Sequence, residues 1–343
     1  MQKLILIGAS AGGVNALTSL TAALPANLPA TVLIVMHIGA RRSLLPNILQ
    51  KLCPLPVRHA EDFAPLLPGE VLIAPPDCHL TVELHEGQAR ARLWHGPKEN
   101  HTRPAIDPLF RSAAATFDGK VIATILTGYL DDGTAGLSAV KACGGCAIVQ
   151  DPNDAQVPDM PASAISHVSV DHVLPLLEIA PVLASLAQAQ PAAGHVRPPV
   201  PEWVRVENRA VEGNAGMDDL QRIGTPSGYT CPECSGTLWK INGVVPARFR
   251  CHTGHGFTAR TLLQLQSETV EAALWSSLRA LQEKLRLAQE MEREMEPNMA
   301  RNMERNMERE SAIGDTDTSD QAHLDCIEKL QKDIDTLYSL LVG

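Results

Sequence analysis

The sequence predicts an α/β architecture: a doubly wound, mostly parallel sheet over residues 1–187, followed by a small zinc-binding module and a C-terminal helical hairpin. Three observations carry this reading. Short β-branched apolar runs alternate with Ala/Leu-rich stretches as far as about residue 187, as in βαβ units whose strands are buried on both faces. Cysteines and histidines cluster between 228 and 260 at metal-ligand spacing. Beyond them apolar residues recur in steps of seven, four and three, which places them on one face of a helix.

Taken in order, Lys3 to Ile7, Thr31 to His37, Val71 to Ala74 and Lys120 to Thr127 read as strands. Asn15 to Leu24, Ser43 to Leu52, Pro108 to Ala115 and Thr134 to Ala142 read as the helices between them. His79 to Trp94 alternates around Glu86-Gly87 and predicts a hairpin carried to one side. Cys146 to Gln150 is a further strand, with a helix from about Ala162. The Pro-rich stretch from Gln190 ends the periodic pattern and predicts a poorly ordered linker over 188–227. Residues 228–260 form the metal module, and 261–343 the hairpin with its Met/Glu/Arg/Asn-rich connector. One stripe runs Leu263, Val270, Leu274, Leu278, Leu281, Leu285 and Ala288, ending near Met295; the second runs Leu324, Ile327, Leu330, Ile334, Leu337 and Leu341. The four-residue Met repeat after Pro297 reads as a solvated helix or connector. Such a linker lets the two halves bury separate cores.

Composition narrows the function. The 12 basic and 16 acidic side chains up to Gln190, and the 17 and 23 beyond it, leave both halves negative, without the basic footprint a nucleic-acid backbone demands. The apolar runs, such as Leu4 to Ile7 and Val32 to Met36, are far short of the roughly 18 residues of a membrane span. No signal-peptide pattern follows Met1, and two C-x-x-C pairs suit thiols that bind metal or stay reduced, so the expected compartment is the cytoplasm.

Gly8-Ala9-Ser10-Ala11-Gly12-Gly13 follows the first strand and opens a helix. That is the place for a strained turn exposing a nucleophile to helix N–H groups, and equally for a phosphate-binding glycine loop. A dinucleotide site wants an acid about 20 residues on, at the end of the second strand. Here that strand ends in Met36-His37, a base where the nucleotide reading needs a carboxylate. Leu126-Thr127-Gly128-Tyr129-Leu130-Asp131-Asp132-Gly133 supplies two carboxylates past another strand, so Ser10, His37 and one of Asp131 or Asp132 are positioned to meet at the carboxyl edge of the sheet.

These three segments, with Thr102-Arg-Pro-Ala-Ile-Asp-Pro-Leu-Phe110 and Met160-Pro-Ala-Ser-Ala164, resemble the catalytic domain of the chemotaxis protein-glutamate methylesterases, the CheB family, in order and spacing over about residues 1–187. The resemblance implies a doubly wound α/β fold and hydrolysis of glutamyl methyl esters on chemoreceptors, with deamidation of some glutamines. It implies no catalytic cofactor. It makes Ser10 the nucleophile, His37 the base and Asp132, immediately before the glycine, the acid. Ala11 stands where many members carry threonine, leaving the N–H groups of Ala11, Gly12 or Tyr129 for an oxyanion. The family's receiver domain has no counterpart ahead of Lys3, so a stand-alone catalytic domain is expected, with a separate response regulator as possible partner. The competing reading is a non-catalytic signalling adaptor that binds partners through the α/β domain and the tail. Arg103 and Asp107 read as a loop salt bridge and helix cap.

Cys231-Pro-Glu-Cys234 and Cys251-His-Thr-Gly-His255 give two knuckles that suit structural zinc, with His252 as the alternative fourth ligand. Cys143-Gly-Gly-Cys146 lies between a helix and the next strand and reads as a glycine turn flanked by small buried thiols.

Overall fold

The structure, a computed structural model, describes residues 3–117, 119–190, 198–307 and 317–342, with side chains outside 294–323. The strands Lys3–Ala9 (β1), Ala30–Met36 (β2), Val57–His59 (β3) and Val71–Ile73 (β4) lead into a two-stranded antiparallel hairpin, His79–His85 (β5) and Gln88–Trp94 (β6); Val121–Ile125 (β7), Cys146–Gln150 (β8) and His172–Leu174 (β9) follow. Apart from the hairpin these strands form one parallel sheet in the order β3-β4-β2-β1-β7-β8-β9. The connecting helices are Gly13–Ala22 (α1), Leu45–Gln50 (α2), Ile106–Thr116 (α3), Thr134–Ala142 (α4), Asp159–His167 (α5) and Leu176–Gln188 (α6).

The period of two along β1 sorts its residues between two cores. Leu4 and Leu6 pack with Leu33, Val35, Leu72, Phe110 and Leu137; Ile5 and Ile7 pack with Val32, Ile34, Val71, Ile73, Leu17, Leu20 and Leu183. Helices cover both faces, which is why these strands read as unbroken apolar runs. The chain turns to β2 on one side of β1 and to β7 on the other, so β1 is the topological switch point. In register, Ala9 stands beside Met36 and Gly8 beside Ile125, so the residues after all three strands leave the same edge. The three-residue edge strands β3 and β9 are too short to show a period in the sequence.

The expected linker over 188–227 is not one. Residues 191–197 lie outside the described residues, but Glu202–Val211 (α7) and Met217–Ile223 (α8) are helices. Pro201 directly precedes the first turn of α7, where a missing N–H costs no helical hydrogen bond. Val204 is buried in the same core as Phe110 and Ala114, with Val200 and Trp203 packed against it. The compact unit runs from Met1 to Leu263, so the divisions at 187 and 228 fall inside it and the expectation of separate cores fails. Within that unit Gly224–Thr230 (β10), Thr237–Ile241 (β11), Arg248–Cys251 (β12) and Gly256–Thr258 (β13) form an antiparallel sheet in chain order.

The second unit, Gln264–Gly343, contains most of the helix Ala259–Met307 (α9) and all of Asp317–Val342 (α10). Leu278, Ala288, Leu330 and Ile334 are buried, whereas Leu263, Val270 and Leu324 of the expected stripes are exposed. Leu340 and Leu341 line one cavity with Gln266, Val270 and Leu274, which makes the helices antiparallel. The backbone stays helical through Pro297 instead of ending near Met295. Residues 308–316, in the expected polar break, lie outside the described residues.

Candidate active site

Ser10 is the first residue after β1. Its N–H donates to the Thr127 carbonyl at 2.9 Å, and the Gly13 N–H donates back to the Ser10 carbonyl at 2.8 Å, closing a tight turn that starts α1. Gly12 takes φ +78° there, and a Cβ on it would lie 2.8 Å from Gln156 Oε1. Gly128 faces the nucleophile so closely that a Cβ on it would stand 2.7 Å from the Ser10 Cβ. Thr127 fixes the two loops together: its Oγ1 donates to the Ala11 carbonyl at 2.9 Å and accepts from the Val157 N–H at 2.8 Å.

His37 follows β2 and reaches both neighbours. Its Nδ1 lies 3.1 Å from Ser10 Oγ, and its Nε2 lies 2.7 Å from Asp132 Oδ2. An ionised carboxylate only accepts, so Nε2 carries the proton toward Asp132 and the Nδ1 lone pair faces the serine hydroxyl. Asp132 is buried and surrounded by donors. Oδ2 also accepts from the Ile106 N–H at 2.7 Å, and Oδ1 accepts from Asn100 Nδ2 at 2.8 Å. Burial pushes this carboxyl up, but the hydrogen bond and charge of His37, the Ile106 N–H and the Asn100 amide outweigh it and hold it below the ordinary range. Asp131 points elsewhere: its Oδ1 accepts from Thr258 Oγ1 at 2.7 Å and Thr261 Oγ1 at 3.2 Å, and burial raises its carboxyl.

Ser10, His37 and Asp132 therefore stand in one hydrogen-bonded line, at an open cleft of about 490 Å³ lined by Ser10, Ala11, Gly12, Val14, Met36, His37 and Gln156. A hydroxyl so placed can pass its proton to Nδ1 as it attacks an acyl carbon. Among the described hydrogen bonds, the N–H groups of Ala11, Gly12 and Tyr129 donate to no protein acceptor.

Arg103 does make a loop salt bridge, with its Nε 2.9 Å from Asp77 Oδ1. Asp107 is not a helix cap: its buried carboxylate accepts from the Gly136 N–H at 2.6 Å, Asn100 Nδ2 at 3.0 Å and Arg248 Nη1 at 2.6 Å. Asn100, Thr127 and Thr258 are the site residues that sequence reasoning missed. Asn100 holds φ +49°, a conformation asparagine tolerates, but nothing in the sequence distinguishes it from other loop asparagines.

The metal-type residues also converge. One donor atom from each of Cys231, Cys234, Cys251 and His255 lies within 4.8 Å of the others, while His252 is exposed and outside the group. Cys234 Sγ and Cys251 Sγ are 3.7 Å apart, close to the roughly 3.8 Å edge of a tetrahedron with ~2.3 Å metal–sulfur bonds. Cys231 and Cys234 flank the turn between β10 and β11; Cys251 ends β12 and His255 precedes β13. Cys143 is buried, and burial with the nearby Asp171 pushes the Cys146 thiol up to about 11, away from the thiolate that redox chemistry needs.

The family model described as CheB methylesterase matches residues 5–183. A Leptospira interrogans protein named for protein-glutamate methylesterase and protein-glutamine glutaminase activity is 41% identical over 185 residues, 54% of this chain and 94% of that protein. A similarly named protein of a Nocardioides species is 39% identical, over 56% of this chain but only 52% of its own length. The crystal structure of the Thermotoga maritima CheB methylesterase catalytic domain matches at TM-score 0.53 and 37% identity, covering 54% of this chain and 99% of that domain. With a family match over more than half its length, the chain belongs to the CheB methylesterase family: it is a methylesterase, a carboxylic ester hydrolase.

Proposed function

We propose that the chain demethylates glutamate methyl esters on chemoreceptor-like signalling proteins, with Ser10 as nucleophile, His37 as general base and acid, and Asp132 as the group that fixes the imidazole. The observation that carries the mechanism is the line from Ser10 Oγ to His37 Nδ1 at 3.1 Å and from Nε2 to Asp132 at 2.7 Å. Ser10 Oγ attacks the ester carbonyl carbon and its proton moves to Nδ1. The tetrahedral oxyanion is met by the N–H groups of Ala11, Gly12 or Tyr129. Collapse expels methoxide, which leaves as methanol with the proton from Nδ1, and a glutamyl-serine ester remains. Water, deprotonated by the same nitrogen, then releases the glutamate carboxylate. A glutamine side chain entering the same path loses ammonia in place of methanol. The glutamate ester and glutamine in this assignment follow the names of the relatives; the chemoreceptor follows the chain's membership of the CheB family.

Cys231, Cys234, Cys251 and His255 would hold a structural zinc ion, whose chemistry is to fix the knuckles; four protein donors leave no open position for substrate or water. A separate response regulator is the partner we assign to its control, and the cytoplasm is its place of action. Among the described residues no helix is long and apolar enough to cross a membrane. A non-catalytic adaptor has no use for a serine poised on an oriented imidazole. The mechanism is tested with a fluorophosphonate: the wild type should carry the adduct on the peptide holding Ser10, and His37→Ala should lose it. An adduct elsewhere, or one indifferent to His37, overturns the assignment.

A further inference from the structure

The acid end of the His37–Asp132 pair is held by a side chain outside every motif that marks the site. Asn100 lies in the loop before α3, 4% exposed. One of its amide hydrogens goes to Asp132 Oδ1 at 2.8 Å, the other to Asp107 Oδ2 at 3.0 Å, and its Oδ1 accepts from the Thr258 N–H at 3.0 Å. Turned over, the amide would set an NH₂ against an N–H and an oxygen between two carboxylates, so its partners fix its orientation. Two of the groups that fix it trace to the C-terminal strands. Thr258 ends β13, and Arg248 of β12 is the ion-pair partner of Asp107, at 2.6 Å. Burial raises the Asp107 carboxyl to about 7 even with the Arg248 guanidinium drawing it down. A protonated Asp107 is a poorer acceptor for Asn100, and the amide would lose the anchor that aims its other hydrogen at Asp132.

We propose that Asn100 is a positioning residue for Asp132, and that β12 and β13 hold it through Arg248 on Asp107 and the Thr258 N–H. This deepens the triad reading and rests on it. The C-terminal sheet is then part of what makes the hydrolase competent: it sets where Asp132 sits, and Asp132 sets where His37 points.

The test is a double-mutant cycle in the full-length chain with p-nitrophenyl acetate. Asn100→Ala removes one charge-assisted hydrogen bond from Asp132, and kcat should fall about 10- to 100-fold with KM within about twofold, because the cleft itself is untouched. In an Asp132→Asn background the same change should cost almost nothing further. Arg248→Lys keeps the charge but loses the forked geometry; it should lower kcat in the wild type and have little effect in Asn100→Ala. Should Asn100→Ala fail to fold by circular dichroism, Asn100→Ser, which retains one donor, replaces it in the cycle. Multiplicative losses, or a change confined to KM, would overturn the proposal and leave Asn100 structural. A wild-type rate for Asp132→Asn alone would instead sink the triad reading, so the two failures are distinguishable.

Discussion

Replacing Arg248 by Met tests how the C-terminal strands are joined to the sheet. The guanidinium is fully buried and meets three carboxylates: Glu99 at 2.8 Å, Asp107 at 2.6 Å and Glu207 at 3.1 Å. Arg111 and Arg250 share Glu99 and Glu207, so three cations face three carboxylates in a region closed to water. The substitution leaves two cations against three acids and strips Asp107 of its ion pair. Breaking a buried pair by removing one partner costs roughly 3–5 kcal/mol, a large share of a typical 5–15 kcal/mol stability. For a unit of this size that is a fall in Tm of roughly 6–20 °C, at about 2–4 °C per kcal/mol. Burial then drives Asp107 further up. An acid with a raised folded pKa keeps its proton only when folded, so its stability contribution declines as pH rises above about 3.9, and the defect should be larger at pH 8 than at pH 5. The assay is urea unfolding at both pH values, with the exposed pair Arg279–Glu283 broken by Arg279→Met as control. A loss below about 1 kcal/mol, equal to the control, would refute the reasoning.

Ser10→Ala should reduce small-ester kcat on the order of 10⁶-fold without unfolding the protein, measured by steady-state kinetics beside circular dichroism. Asp132→Asn should cost on the order of 10⁴-fold in kcat and Asp131→Asn much less, since only Asp132 touches His37; equal effects would mean the aspartates are misassigned. Stripping the metal with a chelator, or Cys231→Ser, should loosen β10–β13 and lower small-ester turnover, because Arg248 and Arg250 precede Cys251 on one strand; full turnover in a sample shown to be metal-free would contradict this. His79 is buried neutral, accepting from the Ala105 N–H and donating to the Pro97 carbonyl, and burial lowers it to about 4. The unfolded chain binds that proton first, so stability falls by roughly 3 kcal/mol as pH drops from about 6.5 to 4. Asp107 and Asp131, raised by burial, oppose this over part of the range, so the difference between wild type and His79→Gln isolates the effect.

The meeting of Ser10, His37 and Asp132 was legible because each directly follows a strand or its loop in a sheet whose period of two is plain, and a parallel sheet gathers such positions at one edge. The metal group was legible because its spacing alone restricts the chemistry; the structure adds that His255, not His252, joins it. The buried ion network was not. Its members are separated by as many as 151 positions, and no local pattern tells an arginine buried against a glutamate from one in solvent. Proline misled most strongly: Pro198, Pro199 and Pro201 mark the end of periodicity in the sequence, yet they lead into α7, which carries Glu207 into that network. Arg248 and Arg250, two apart on β12, lie on one face of the strand and meet buried carboxylates.

Methanol release from chemoreceptors carrying labelled methyl groups on their glutamates tests the account most directly, with wild type and Ser10→Ala compared at equal concentration. The wild type should release labelled methanol, stoichiometric with new glutamate carboxylates, and Ser10→Ala only the background. Release that persists in Ser10→Ala, or no release from a wild type that still hydrolyses small esters, would contradict it: the first removes Ser10 as nucleophile, the second removes the receptor as substrate.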